Sequence, residues 1–405
     1  RWRLATFRTS TSALAGRISL RKRWRKLLRL TVIDGFRGVF LIFMLIIHAN
    51  EILKTTFGKL NHHYFGWVED AQGFVFMSGL VVGLVYGGRY LRHGYEMMQK
   101  AIWARIRTIY SHQVFLILLF LIIALIYVQF GATPPNVLRG YEKEPIIFPI
   151  LSAFLVTGSA HMGILPMYIF FMMITPFALR LLNTQRYMIY SVLVIGAWAI
   201  AQTRVSDQLI TVLEQRFADV GHQINLGIFF NVLGWQSLFF GGLLIGFLMA
   251  SQRLNTNFLQ REEMRVVFFL CVGLFFFFGI YDRIVFDDWF GRAFSEMIKT
   301  ETDRGNFSTI YPITFLIDLL IVVWLMGPGL GDKNYMIRGT AQLIQKVVTI
   351  RPLVFLGQHS LHVFSAHILI VYLLATLYQD KPPNELIGIF LIMLCVGGLY
   401  LAAWL

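Results

Sequence analysis

Arg37 and His48 stand in the otherwise apolar run 31–50, TVIDGFRGVFLIFMLIIHAN. An ionisable side chain inside a bilayer costs at least about 2.5 to 3.5 kcal/mol, so each needs a polar partner or a water-filled cavity, and each is a functional candidate. Eleven residues make close to three helical turns, which puts the guanidinium and the imidazole on one face, roughly 16 Å apart along the axis. An imidazole titrates near neutrality and can take a proton from an attacking hydroxyl, whereas a guanidinium holds phosphate or carboxylate.

The remaining polar groups fall into two layers. Asp34 and Arg37 form an i,i+3 pair at one end of the run, and Arg105 and Arg107 in IWARIRTIY sit at the same level. At the other end lie His48, Asn50 and Glu51, followed by the aromatic and acidic loop HHYFGWVED. Cations suit a donor carrying phosphates; rings and carboxylates suit a carbohydrate. Two substrates approaching from opposite sides are therefore expected. Each group also has a structural reading. A lone intramembrane His can bond between helices, Asp34 and Arg37 can be a structural pair, and arginines at a helix end mark topology. His62 and His63 are adjacent in a loop and supply no closed ligand set; no metal is expected.

These residues need helices to carry them. With 57% hydrophobic residues, 14% charged and a mean hydropathy of +0.63, long apolar runs recur, and the chain reads as an all-α polytopic membrane protein. Ten spans are expected, at about 31–50, 72–91, 109–130, 164–182, 186–202, 226–250, 265–281, 310–328, 353–377 and 386–405. The apolar piece from Ile146 to Gly158 is too short to span and reads as re-entrant or interfacial. Gly241, Gly242 and Gly246 have the spacing of a close helix crossing. The run from Phe275 to Phe278 reads as lipid-facing.

A net charge of +14 does not imply nucleic acid, because the charge is grouped at helix ends. Most Lys and Arg fall on one side and most acids on the other if both termini are cytoplasmic. Residues 1–30, with ten Lys or Arg before Leu30, read as a cytoplasmic basic arm, interfacial or amphipathic, and not as a cleavable signal peptide. Residues 31–405 read as one membrane domain. Cys271 and Cys395 have no ligand-like spacing.

Arg-x10-His from Arg37 to His48, FVFMSG from Phe74 to Gly79 and ARIRTIY resemble the membrane-bound acyltransferase family 3. More narrowly, IDGFRG, EDAQGFVFMSGLVVGLVYG from Glu69 to Gly87, HMGILPMYI from His161 to Ile169, NVLGWQSLFFGG from Asn231 to Gly242 and FLGQHSLHVFSAH from Phe355 to His367 are similar to the OpgC family, succinyltransferases of osmoregulated periplasmic glucans. The resemblance runs from the first span onward, with the basic arm outside it.

The resemblance implies an enzyme of the bacterial inner membrane that moves an acyl group, succinyl by family likeness, from cytoplasmic acyl-CoA to a hydroxyl of a periplasmic glucan, through a central pore within a bundle of about ten transmembrane helices. Succinyl-CoA would be a donor substrate, with no tightly bound cofactor. On this reading His48 is the general base, with Glu51 or Asp70 orienting its ring. Asp34, Arg37, Ser78, Arg105 and Arg107 hold the donor. Trp67, Glu69 and His161 form the glycan mouth. Gln236, Asp318, His359, His362 and His367 line the pore or donate to the tetrahedral oxyanion. An acyl-histidine intermediate and acetyl as the acyl group both remain open. A transporter would also place polar groups in spans, but no related halves are evident. A glycan-binding scaffold would not need an inner arginine cluster aligned with an imidazole. Lipid and glucan are the expected partners, and nucleic acid is not.

Overall fold

The computed structural model describes residues 8–60 and 65–405, with side chains described from residue 31 onward except at 59–60 and 300–301. His62 and His63 lie outside the described residues, as do residues 1–7 and the side chains of the rest of the basic arm. The chain builds helices throughout, with a single β-bridge between Thr157 and Gly227 among the described residues. In order they are α1 (Arg8–Leu53), α2 (Asp70–Gln129), α3 (Arg139–Lys143), α4 (Ile147–Ala153), α5 (Ile164–Asn183), α6 (Tyr187–Gln202), α7 (Val205–Asp219) and α8 (Val232–Ala250). There follow α9 (Glu262–Phe286), α10 (Arg292–Glu301), α11 (Ile310–Leu325), α12 (Tyr335–Val348), α13 (Arg351–Gln358), α14 (Ser360–Tyr378) and α15 (Glu385–Trp404).

Eight of the described helices are long and apolar enough to cross a membrane: α1 from Thr31, α2, α5, α8, α9, α11 with its following turn, α14 and α15. The pair α6 and α7, bent by 54°, passes as a ninth if taken as one broken span. The protein is a polytopic, all-helical membrane protein.

Four expected spans differ in form. The stretches 72–91 and 109–130 lie on two arms of α2, which breaks at Gly94 (φ 80°, ψ 175°), a conformation that only a residue without a Cβ adopts freely. Sixty helical residues would extend ~90 Å, about three bilayer cores, so α2 cannot be one crossing. The stretch 353–377 is two helices, because the backbone of His359 (φ −100°, ψ 26°) leaves the helical ladder between α13 and α14. The stretch 226–250 is helical only from Val232, where the Asn231 side chain caps α8 by accepting from the Leu233 amide. Within Ile146 to Gly158 the chain forms the short α4 and then an irregular segment.

Lipid offers helices no hydrophobic reason to associate, so close approach must supply dispersion contact, and small residues permit it. A Cβ added at Gly35 would lie 1.6 Å from the Val348 carbonyl oxygen, and one at Gly357 would lie 1.8 Å from that of Asp34. Here α1 crosses the end of α12 and α13 backbone against backbone. The crossing of α2 and α8 is reciprocal. Gly79 and Gly83 admit the carbonyls of Phe239 and Leu243, while Gly242 and Gly246 admit those of Phe76 and Leu80. The expected close packing at Gly242 and Gly246 is present, whereas Gly241 faces open space. Because Gly79 meets Phe239 and Gly83 meets Leu243, the two helices run parallel and bring their N-termini to one end of the bundle. The last turns of α1 reach the same end.

Candidate active site

His48 sits near the end of α1 between two other imidazoles. Its Nδ1 lies 2.8 Å from Nε2 of His367 on α14, with the two rings 5.0 Å apart and inclined by 28°. The ring of His161 stands 4.1 Å away on another side. His367 is fully buried. This pairing leaves Nε2 of His48 as the ring nitrogen available to a ligand. If that atom is to accept a proton, Nδ1 must carry the hydrogen and donate it to His367 Nε2, so the buried partner selects the tautomer.

His161 arrives by a strained route. Its backbone takes φ 68°, in the left-handed region that costs a residue with a Cβ about 1–2 kcal/mol, and such strain clusters where a side chain must be aimed. Its Nε2 lies 3.4 Å from Oε2 of Glu51. His48, Glu51 and His161 each offer one ligand atom, all within 4.8 Å of one another. Zinc–nitrogen bonds of about 2.0–2.1 Å would require the set to contract.

A cavity of about 220 Å³ opens on this cluster, lined by His48, Glu51, Glu69, Asp70, His161 and Arg304 among others. Arg304, in the loop before α11, donates through Nη1 to Oε1 of Glu69 at 2.5 Å, and its guanidinium lies 4.8 Å from the ring centre of Phe229. Burial alone would lower its pKa, but the Glu69 carboxylate, with Tyr311 and Glu51, outweighs burial and holds Arg304 above the usual arginine range. A second cleft of about 820 Å³ shares Ile228, Phe229, Phe230 and Arg304 with the first. It adds polar groups such as Asp207, Asn231, Lys299, Asp303 and Asn306.

At the other end of the polar face, Nη2 of Arg37 donates to Ser360 Oγ, and Nη1 lies 3.7 Å from Asp34 Oδ1. Its guanidinium stands 5.9 Å from the ring centre of Phe74, Arg105 and Tyr168 lie within electrostatic reach, and Nε has no hydrogen-bond partner among the described residues. Arg105 is half-buried and Arg107 exposed, while Ser78 is buried in α2. A cleft of about 800 Å³ between the middle of α1 and α13 is lined by Thr31, Arg351 and Gln358 among others.

The structure thus brings together His48, Glu51, Glu69, Asp70 and His161, with His367 directly behind. Glu51 engages His161, and the contact to Nδ1 of His48 expected from Glu51 or Asp70 is made by His367. Trp67 does not line the cavity. It is buried among Tyr281, Phe286 and Tyr311, at ring distances of 5.9 to 6.0 Å. Gln236 donates to the Val194 carbonyl at 2.7 Å, tying α8 to α6. His359 donates from Nδ1 to the Phe355 carbonyl at 3.0 Å. Asp318 borders a void of about 10 Å³ beside Trp67. His362 stacks edge-on against His112, whose Nδ1 lies 2.9 Å from Ser365 Oγ. Sequence reasoning missed Arg304, Ser360 and His112. None of the three carries a local signal; Arg304 stands among the loop charges of ETDRGNF, where a base reads as topology.

Among known families, the one described as OpgC protein matches residues 29–405. No curated protein matches the chain. No solved structure does either.

Proposed function

The chain belongs to the OpgC family, and on that basis we propose that it is a glucan O-succinyltransferase of the bacterial inner membrane, with succinyl-CoA as donor and both termini in the cytoplasm. The observation that carries the reading is His48, which lines a cavity while its Nδ1 is engaged by His367.

The proposed chemistry follows from that geometry. A glucose hydroxyl enters from the outer cleft and approaches His48 Nε2. As its oxygen attacks the thioester carbonyl, its proton passes to Nε2. The tetrahedral intermediate collapses with cleavage of the carbon–sulfur bond, the proton on Nε2 leaves with the CoA thiolate, and the glucose oxygen keeps the succinyl ester. The imidazolium formed in passing is steadied by His367 and by the carboxylates of Glu51, Glu69 and Asp70 around the cavity. Arg37, with Arg105 nearby, holds the donor end; the roughly 16 Å rise to His48 suits an extended pantetheine arm. The 820 Å³ cleft, with aromatic rings and mixed carboxylates and amides, suits a sugar chain better than Trp67 does, since Trp67 is enclosed.

The test is direct. Purified protein incubated with succinyl-CoA and periplasmic glucan should yield succinyl esters detectable by mass spectrometry, together with free CoA thiol. Absence of ester, with solute flux from liposomes instead, would support a transporter and end this reading.

A further inference from the structure

We propose that Arg304 forms a carboxylate subsite that selects a dicarboxylic acyl group, receiving the free carboxylate of the succinyl chain while its thioester lies at His48. The inference rests on the acyl-transfer reading above and names what sets its donor.

The loop around Arg304 is braced before any substrate arrives. Trp235 donates from Nε1 to the Arg304 carbonyl at 3.1 Å, and the Asn231 amide donates to the Gly305 carbonyl at 2.9 Å. Gln202 and Trp198 donate to the carbonyls of Asn306 and Phe307, each at 3.0 Å. A Cβ at Gly234 would lie 2.3 Å from the Asn306 carbonyl oxygen, so α8 presses directly on the loop. Asn306 in turn donates to Asp207 and Asp303 at 2.8 and 2.7 Å. Three helices therefore fix the backbone of one arginine.

The side chain is fixed as well. One nitrogen, Nη1, is committed to Glu69, and the ring of Phe229 lies under the guanidinium carbon. A guanidinium has five N–H donors in a planar fork, so an edge remains for a second carboxylate, and an Arg–carboxylate pair is short, charge-assisted and directional. Glu69 positions the cation.

Placement decides the ligand. Arg304 lines the same cavity as His48, acts electrostatically on it, and also senses Glu51 one turn further along α1. A donor that enters past Arg37 leads with its acyl end. When its carbonyl reaches His48, whatever lies beyond that carbonyl points toward Arg304. For an acetyl group that is a methyl, which leaves the guanidinium edge unused. For a succinyl group it is a carboxylate.

Purified protein is assayed with glucan and three donors: succinyl-CoA, acetyl-CoA, and succinyl-CoA whose free carboxylate is blocked as a methyl ester. With the unaltered protein, the blocked donor should react roughly ten- to a hundredfold less efficiently than succinyl-CoA, as loss of a hydrogen bond to a charged group implies. In Arg304→Gln the ratio of succinyl to acetyl transfer should fall by a similar factor, and Arg304→Lys should fall between. Equal use of blocked and free succinyl donors, or an unchanged ratio in Arg304→Gln, would overturn the subsite while leaving the transferase intact. The donor comparison needs no variant and stands if Arg304→Gln fails to fold. No transfer from any donor by the unaltered protein would instead be a failure of the acyl-transfer reading.

Discussion

His48 Nδ1 and His367 Nε2 are 2.8 Å apart although 319 residues separate them in the chain. In a low-dielectric interior one proton shared between two imidazoles couples their tautomers, so the state of the cavity-facing nitrogen is tied to a residue that need not touch substrate.

His48→Ala should lower transfer by about 10²–10⁴-fold, the range for loss of a general base, while the protein still purifies as a monodisperse helical species. Ester formation close to that of the unaltered protein would remove His48 from the chemistry.

His367 is a positioning residue on this account. His367→Gln keeps an acceptor for His48 Nδ1–H, and His367→Leu does not. The Gln variant should retain more activity than the Leu variant, with the loss in kcat rather than KM and with a shifted acid limb in the pH–rate profile. Equal losses in both variants with an unmoved profile would point to packing alone.

The donor end separates from the chemical end. Arg37→Gln should raise KM for acyl-CoA by roughly tenfold or more, since it removes a charge-assisted contact. Ser360→Ala, which leaves the cation in place, should have a smaller effect. A change in glucan KM with an unaffected donor KM would reverse the assignment of the two ends.

Helix crossings test the scaffold. Gly357→Ala places a Cβ 1.8 Å from the Asp34 carbonyl oxygen, and backbone on both sides cannot yield cheaply. Overpacking of this kind costs typically about 1–3 kcal/mol, so thermal unfolding in detergent should shift down by several degrees. Gly241→Ala, which meets open space, should unfold at the temperature of the unaltered protein.

Much of this was legible in the sequence because the bilayer makes it so. Polar groups stand out in an apolar run, and the three-turn spacing of Arg37 and His48 holds on the unbroken helix α1. Glu69 and His161 fall beside His48 because short motifs bring them to the ends of helices. What stayed hidden depends on distant contacts. Neither the contact of His367 with His48 nor the braced loop of Arg304 is encoded locally, and among loop charges Arg304 reads as topology. Trp67 misled because an aromatic beside acids looks like a sugar platform, whereas three neighbouring rings enclose it. Gln236 misled because a buried amide must find a partner, and the nearest was a carbonyl of α6. The two arms of α2 were expected as separate spans, since a glycine break and a short loop leave the same trace in hydropathy.

The central claim is that donor and acceptor meet at His48 from opposite faces of the membrane. Proteoliposomes loaded with glucan and given succinyl-CoA outside should, for molecules whose donor face is outward, accumulate succinylated glucan in the lumen, and His48→Ala should abolish it. Lumenal glucan that stays unmodified, while glucan added outside together with the donor is esterified, would contradict the account.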